Sequence, residues 1–203
     1  RTEAVITNMD APLGCAIGNS IEIIECIDIL KGGGPCDLSD LAVALASRML
    51  VVAGRASESR AEPMVRRVLE SGEALARLRA MIAQQGGDAS VVDDYGRMPT
   101  ARHRQTFKAN RAGFVSCLDA ELIGRASMAL GAGRARVEDR VDYGAGIRLH
   151  HKPGDEVAAG EPILDLLYND DGGLDEAARL AQQAIAVATV APQVRPLVLG
   201  LVH

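Results

Sequence analysis

The residues with the clearest chemical potential near the start of the chain are a loop and the helix that follows it. Residues 13–16 form the loop, and Glu25 lies one turn into an apolar helix whose N-terminus is predicted at Asn19. A carboxylate opposite backbone carbonyls gives an all-oxygen ligand set, which suits a hard cation. The alternative is that Glu25 is an ordinary solvated helix residue, so the spacing alone leaves a cation site open.

Two pairs of adjacent polar residues are weaker candidates. Asp93 and Asp94 lie in a segment rich in turn-forming residues, and a carboxylate pair could serve acid–base catalysis. No acid–base partner is near in the sequence, which favours a solvated loop. His150 and His151 are adjacent in a predicted strand, so their side chains point to opposite faces and cannot easily bind one metal ion. We expect one to be exposed and the other packed.

The composition restricts the classes of function. The chain has 203 residues, of which 48% are hydrophobic but only 2% aromatic, so its core must be aliphatic. A net charge of −5, with no basic stripe, argues against a nucleic-acid polymer as partner. No run approaches the length of a transmembrane helix and the first residues are not a signal peptide, so we expect no membrane partner. The four cysteines lack CxxC spacing, which favours reduced thiols in a cytoplasmic protein over zinc or disulfides.

The first part of the chain is predicted to be a single strand followed by helices. Residues 4–7 form the strand, and Asn19 with Glu22 resembles a capping box at the start of the first helix. A second helix is predicted to begin with Asp37 as its N-cap, and two more cover about 61–70 and 73–85. One strand cannot make a sheet, and the chain does not obviously supply neighbours for it. This pattern fits part of an α/β domain whose other strands lie upstream.

After Pro99 the pattern becomes α+β. Asp119 is predicted to cap a helix over 120–130, which ends in the Gly-rich turn GAGR at 131–134. That turn follows a helix rather than a strand, so we interpret it as a helix C-cap rather than a phosphate loop. A further helix is predicted over 174–187. The predicted strands cover 106–109, 114–118, 147–151, 162–167 and 197–202.

Five stretches, in order, resemble the thymidine and pyrimidine-nucleoside phosphorylases. They are TNMDAPLGCAIGNSIEIIE at 7–25, LKGGGPCDL at 30–38, QQGGDASVVDD at 84–94, LGAGRARVEDRVD at 130–142 and GIRLHHKPGDEVAAGEPILDL at 146–166. The resemblance covers nearly the whole chain but only the C-terminal half of the family's chain. It implies a C-terminal portion of the family's mixed α/β domain at 1–98, followed by a barrel-sandwich or hammerhead-like α+β C-terminal domain at 99–203.

The family splits a pyrimidine nucleoside with phosphate, its co-substrate, into free base and pentose 1-phosphate. Its phosphate and base sites use a Lys-His-Ser-Thr-Gly-Gly loop, a Gly-rich Ser-containing loop and an Arg/Ser/Lys set, and none of these occurs here. The resemblance therefore assigns no catalytic or substrate-binding residue to this chain, which alone is expected to be inactive. It implies as partners the missing N-terminal half and a second copy in a homodimer. Whether thymidine alone or also uridine is accepted stays open.

What the resemblance does carry over is a monovalent-cation site, most simply for potassium. The family pattern takes two loop carbonyls and one helix carboxylate, which fall on Leu13, Ala16 and Glu25. The remaining ligands belong to the phosphate loop that this chain lacks. A shared cation would hold that loop where its amides meet phosphate.

Two alternatives are not enzymes. The stretch 152–170 resembles the hairpin of biotinyl and lipoyl carrier domains, in which a lysine at the tip accepts the cofactor. Asp170 stands at the place of that lysine, so no covalent attachment is expected. The chain could instead be an interaction module without chemistry, which an upstream phosphate loop in the same reading frame would exclude.

Overall fold

The computed structural model describes residues 2–134 and 136–202, so Arg1, Ala135 and His203 lie outside it. The chain divides into two compact units. The first unit holds Ile24–Arg97 with the described residues of 1–8 and 196–203, and the second holds Met9–Ile23 and Met98–Arg195. These units differ from the predicted domains 1–98 and 99–203 in where the segments 9–23 and 196–203 and residue 98 lie. The assignment of residues 1–98 and 99–203 to two domains of the family that the sequence resembles stays a prediction.

The first unit contains helices and one two-stranded antiparallel sheet. The sheet pairs β1 (Ala4–Thr7) with β9 (Val198–Val202). The helices are α1 (Ser20–Leu30), whose first residues lie in the range of the second unit, α2 (Cys36–Val52), α3 (Glu58–Glu70) and α4 (Glu73–Gln84). Two 3-10 helices, Ala89–Val92 and Tyr95–Arg97, occupy the segment that the sequence predicts as a loop.

Two predictions for the first unit are wrong. The strand β1 does have a neighbour within the chain, because β9 pairs with it and places Ala4 opposite Val202. Helix α2 begins two residues earlier than predicted, at Cys36, with Pro35 rather than Asp37 at the N-cap. A proline lacks a backbone N–H and is well tolerated where a helix begins, so the Gly-Pro boundary sets the start. Asp37 is inside the first turn, where its Oδ1 accepts a hydrogen bond from Leu38 N at 2.9 Å.

The second unit contains two antiparallel sheets and two helices. The four-stranded sheet has the order β2-β5-β7-β3, and the three-stranded sheet has the order β6-β4-β8. The strands are β2 (Ala16–Gly18), β3 (His103–Lys108), β4 (Gly113–Leu118), β5 (Gly146–Leu149), β6 (Glu156–Val157), β7 (Pro162–Tyr168) and β8 (Ile185–Ala188). The helices are α5 (Ala120–Ala129) and α6 (Leu174–Ala184).

The larger hydrophobic core joins α5 and α6 to the four-stranded sheet. It is aliphatic, as the composition predicts, and its buried members include Ile123, Ala126, Ile147, Leu164, Leu166, Ala177 and Leu180. The predicted cap of α5 is confirmed, because the Asp119 side chain accepts a hydrogen bond from Leu122 N at 2.9 Å. The N-cap hydrogen bond, which is local, and the burial of the apolar face, which is tertiary, therefore both stabilise α5.

The prediction of one helix over 174–187 is wrong at its end. Helix α6 stops at Ala184, and Ile185–Ala188 continues as strand β8. Strand β8 pairs antiparallel with β4, which places Val187 opposite Val115 and Ile185 opposite Leu118. The local sequence of the apolar run 184–188 is compatible with a helix or a strand. The hydrogen-bonded pairing with β4 stabilises the strand.

The predicted fold class is confirmed in its coarser form, since the chain is a mixed α/β structure with several antiparallel sheets. The barrel-sandwich or hammerhead-like description of the C-terminal domain stays a prediction. Among the residues described, no helix combines the length and the apolar character needed to cross a membrane.

Candidate functional site

The loop that contains Leu13 is fixed at its end by pairing with the four-stranded sheet. Ala16, which is buried, opens β2 and lies opposite Arg148 of β5. One residue earlier, the carbonyl of Cys15 accepts a hydrogen bond from Leu149 N at 2.7 Å. Gly14 is buried and has φ +69°, a conformation that L side chains rarely adopt. Leu13 stands before this turn and is 37% exposed.

A cationic side chain lies at the carbonyls on either side of Leu13. The ammonium of Lys152 donates to the carbonyl of Pro12 at 2.7 Å and to the carbonyl of Gly14 at 2.6 Å. Both contacts lie within the second unit and join segments far apart in the sequence. The loop therefore presents backbone oxygens in an arrangement that holds positive charge, which is the chemistry expected of a cation ligand.

The first turn of α1 differs in detail from the predicted capping box. Glu22 does reach back, but its Oε1 accepts from Gly18 N at 2.7 Å rather than from Asn19. The Asn19 side chain instead donates from Nδ2 to the carbonyl of Ala132 at 2.7 Å. The carbonyl of Asn19 accepts from Ile23 N, so Asn19 still begins the helix. This turn is thereby tied to the segment after α5.

The three predicted cation ligands fall in two units. Leu13 and Ala16 lie in the segment Met9–Ile23 of the second unit, whereas Glu25 lies in the part of α1 that belongs to the first unit. Glu25 is half-buried, and the same helix buries Ile27 and Ile29. The assignment of these three residues to one site stays a prediction. Their oxygens form a hard donor set that suits an alkali cation.

A buried carboxylate, Asp165, is not among the site residues predicted from the sequence. It is 3% exposed within β7, and its Oδ1 accepts from Thr106 Oγ1 at 2.6 Å. His150 Nε2 lies 2.9 Å from Oδ2, and Arg104 lies 3.7 Å from it. Burial disfavours the charge of Asp165, but these hydrogen bonds and the nearby positive charges outweigh it, so the pKa of the carboxyl lies below its usual range. The available signal was one acid inside the apolar run PILDLL.

The two adjacent histidines contact different carboxylates. His150 lies at Asp165, whereas His151 Nε2 lies 3.3 Å from Glu161 and its Nδ1 3.9 Å from Asp155. The side chain of His150 is 36% exposed and that of His151 is 19% exposed. They follow β5, which ends at Leu149, rather than lying inside it as predicted. Both contribute to polar contacts of the second unit.

The other acidic candidates have local structural partners. Asp93 accepts from Arg79, with Nη1 and Oδ2 2.7 Å apart, and this hydrogen bond lowers the pKa of the carboxyl. Asp94 accepts from Gly96 N at 3.0 Å. Asp170, at the place of the carrier lysine, accepts from Gly172 N at 2.8 Å. All three are therefore turn or surface residues in this structure.

No group of three or more His, Cys, Asp or Glu side chains within residues 2–134 and 136–202 is arranged to hold a metal ion. This result applies to metal sites formed by side chains and does not test sites formed by backbone carbonyls. The four cysteines, all of which the structure describes, form no disulfide bond.

Comparison with known proteins places the chain among nucleoside phosphorylases. Residues 114–188 match the family model of the pyrimidine nucleoside phosphorylase C-terminal domain. The chain is 43% identical over 194 residues to a pyrimidine-nucleoside phosphorylase of Bacillus subtilis, covering 94% of this chain and 44% of that protein. It is 42% identical over 191 residues to the protein of the same name from Staphylococcus haemolyticus, covering 91% of this chain and 44% of that one.

A third relative, a pyrimidine-nucleoside phosphorylase from Staphylococcus aureus strain N315, is 40% identical over 189 residues, covering 93% of this chain and 43% of the relative. The chain thus spans less than half the length of the curated relatives it matches. The similarity extends well beyond the matched C-terminal domain, because it includes the segments before residue 114. The chain belongs to the pyrimidine-nucleoside phosphorylase family, of which it contains the C-terminal domain.

Proposed function

We propose that this chain is the C-terminal part of an enzyme that cleaves pyrimidine nucleosides with phosphate, releasing the free base and pentose 1-phosphate. The observation that carries the proposal is similarity to pyrimidine-nucleoside phosphorylases at 43% identity across 94% of the chain. The carrier-module alternative has no support, since Asp170 offers no amine and serves as a turn acceptor.

Within that enzyme, the chain supplies supporting structure rather than reacting groups. The phosphate- and base-binding motifs that the family resemblance requires are absent from the sequence. Phosphate and the nucleoside would then be bound by the upstream part. A cytoplasmic homodimer is the assembly that we propose for the complete protein.

The cofactor we propose is a potassium ion. The carbonyls of Leu13 and Ala16 and the carboxylate of Glu25 would be its ligands from this chain. Backbone carbonyls and a carboxylate are hard, weakly polarisable donors that suit an alkali cation. The observation that supports this loop as a cation ligand is that its carbonyls at Pro12 and Gly14 already accept from an ammonium group. When bound, the ion would fix the phosphate loop contributed by the upstream part.

The test of the proposed activity is base release from thymidine and from uridine, followed chromatographically with and without phosphate. We expect phosphate-dependent release by the protein of natural length. The 203-residue chain alone should release none, because it lacks the phosphate- and base-binding motifs. Base release by the purified chain, or its absence from the natural-length protein with both nucleosides, would contradict the proposal.

A further inference from the structure

The side chain of Lys152 forms hydrogen bonds with a loop near the start of the sequence. Its ammonium lies 2.7 Å from the Pro12 carbonyl and 2.6 Å from the Gly14 carbonyl, across sequence separations of 140 and 138 residues. Both contacts are charge-assisted hydrogen bonds, which are shorter and stronger than neutral ones. Lys152 is half-buried, so solvent competes less for its donors than at an exposed lysine.

The turn that carries Lys152 is itself held in place. The Lys152 amide donates to Asp155 Oδ2 at 2.7 Å, and the Asp155 amide donates to the Lys152 carbonyl at 3.0 Å. Gly154, with φ +102°, donates its amide to the Val115 carbonyl of β4 at 2.9 Å. The ammonium is therefore presented from a turn fixed to a sheet, so it can position the loop rather than follow it.

The contacts of Lys152 restrict the residue between them. The Pro12 and Gly14 carbonyls are held by the ammonium, and the next carbonyl, that of Cys15, is held by Leu149 N at 2.7 Å. The Pro12 carbonyl belongs to the 12–13 peptide and the Gly14 carbonyl to the 14–15 peptide, so both neighbours of the 13–14 peptide are held. Because each residue has only two soft backbone dihedrals, the 13–14 peptide, which carries the Leu13 carbonyl, has little freedom between them. Ala16 follows directly as the first residue of β2.

We propose that Lys152 is a positioning residue that orders the loop Pro12–Ala16 before the cation arrives. This inference rests on the proposed function, in which Leu13 and Ala16 are cation ligands. Ordering the loop in advance removes an entropic cost from ion binding. A positive charge close to the ion also repels it, so the effect of removing Lys152 on ion affinity decides between positioning and repulsion.

The experiment compares Lys152→Met with Lys108→Met in the natural-length protein. Lys108 is an exposed lysine in β3, which makes it a matched control. For Lys152→Met we expect amide hydrogen exchange at residues 13–16 to accelerate at least about tenfold, as loss of charge-assisted bonds implies. We expect the potassium concentration for half-maximal phosphorolysis to rise by a similar factor, with saturating potassium restoring the rate. Lys108→Met should change neither quantity.

The outcomes separate the inference from the proposed function. If wild-type protein shows potassium-dependent phosphorolysis but Lys152→Met leaves exchange and half-activation unchanged, or lowers the half-activation concentration, the positioning role is wrong. If wild-type protein shows no phosphorolysis, or phosphorolysis without potassium dependence, the proposed function or its cofactor fails, while loop exchange still reports on Lys152.

A second test of the positioning role uses wild-type protein, so its result does not depend on whether a substituted protein folds. The chain contains only three lysines, Lys31, Lys108 and Lys152, so acylation of each can be followed by peptide mass spectrometry. Lys152 should react at least about tenfold more slowly than Lys108, because its ammonium must first leave the loop carbonyls. Equal reaction rates would overturn the inference.

Discussion

The two units of this chain bury their apolar side chains to different extents. In the second unit, α5 buries two apolar residues and α6 buries four, and the core they form includes residues of the unit's sheets. In the first unit, α1 buries Ile27 and Ile29, α2 and α3 each bury one residue, and α4 buries none. The second unit, which contains the matched C-terminal domain, therefore has its own core. On helices α2 and α4 of the first unit, the large apolar side chains of Leu45, Met49 and Met81 are exposed within this chain.

The largest expected contrast is between two leucines. Leu166 is 0% exposed in β7 of the second unit, whereas Leu45 is 41% exposed in α2 of the first. Leu166→Ala should lower the free energy of unfolding by about 2–5 kcal/mol, because it leaves a cavity in a close-packed core. Leu45→Ala should cost less than about 1 kcal/mol. Urea denaturation of the 203-residue chain measures both, and equal losses would contradict the contrast between the units.

A smaller effect is expected at the buried carboxylate of the second unit. Asp165→Asn should lower the free energy of unfolding by about 1–3 kcal/mol at neutral pH, because Thr106 and His150 lose a charged acceptor. The matched change in the first unit is Asp40→Asn, on an exposed side chain 3.8 Å from Arg66, which should leave stability unchanged within error.

The effect of Asp165→Asn should depend on pH with a definite sign. The pKa of Asp165 is lowered in the folded state, so the folded state binds fewer protons than the unfolded state near that pKa. Its stabilisation is present above the unfolded pKa of about 3.9 and is lost as the pH falls through the folded value. The stability gap between wild type and Asp165→Asn should therefore be constant above about pH 5 and narrow as the pH falls below that value and through the folded pKa in urea titrations. A gap that stayed constant through that fall would show that the charge does not contribute.

The elements that local sequence signals predict best are those that tertiary contacts also favour. The helix after Asp119 has a capping side chain and a buried face, and the structure has both. By contrast, the run Ile185–Ala188 fits a helix and a strand equally well locally, and its pairing with β4 lies outside any local window. The partner of β1 was missed for the same reason, since β9 lies near the other end of the chain.

The residues of the candidate site also divide into those that a local sequence pattern indicates and those that only long-range contacts reveal. The loop 13–16 and Glu25 could be singled out because a turn preceding a capped helix has a recognisable sequence pattern, whereas the particular carbonyls of Leu13 and Ala16 come from the family resemblance. Lys152 could not, because nothing local to its turn indicates that the ammonium reaches Pro12 and Gly14. Asp165 was detectable as an acid in an apolar strand, but its partners Thr106 and His150 come from two other segments.

The most direct test of the proposed role of this chain is the potassium dependence of phosphorolysis in Glu25→Gln, made in the natural-length protein. The substitution removes the charge of the proposed ligand and keeps its shape. A matched control is Glu62→Gln, an exposed carboxylate on α3. We expect Glu25→Gln to require at least about tenfold more potassium for half-maximal rate, as loss of a charged ligand implies, with little change in unfolding temperature. Wild-type potassium activation in Glu25→Gln would contradict the cation site and return Glu25 to an ordinary helix residue.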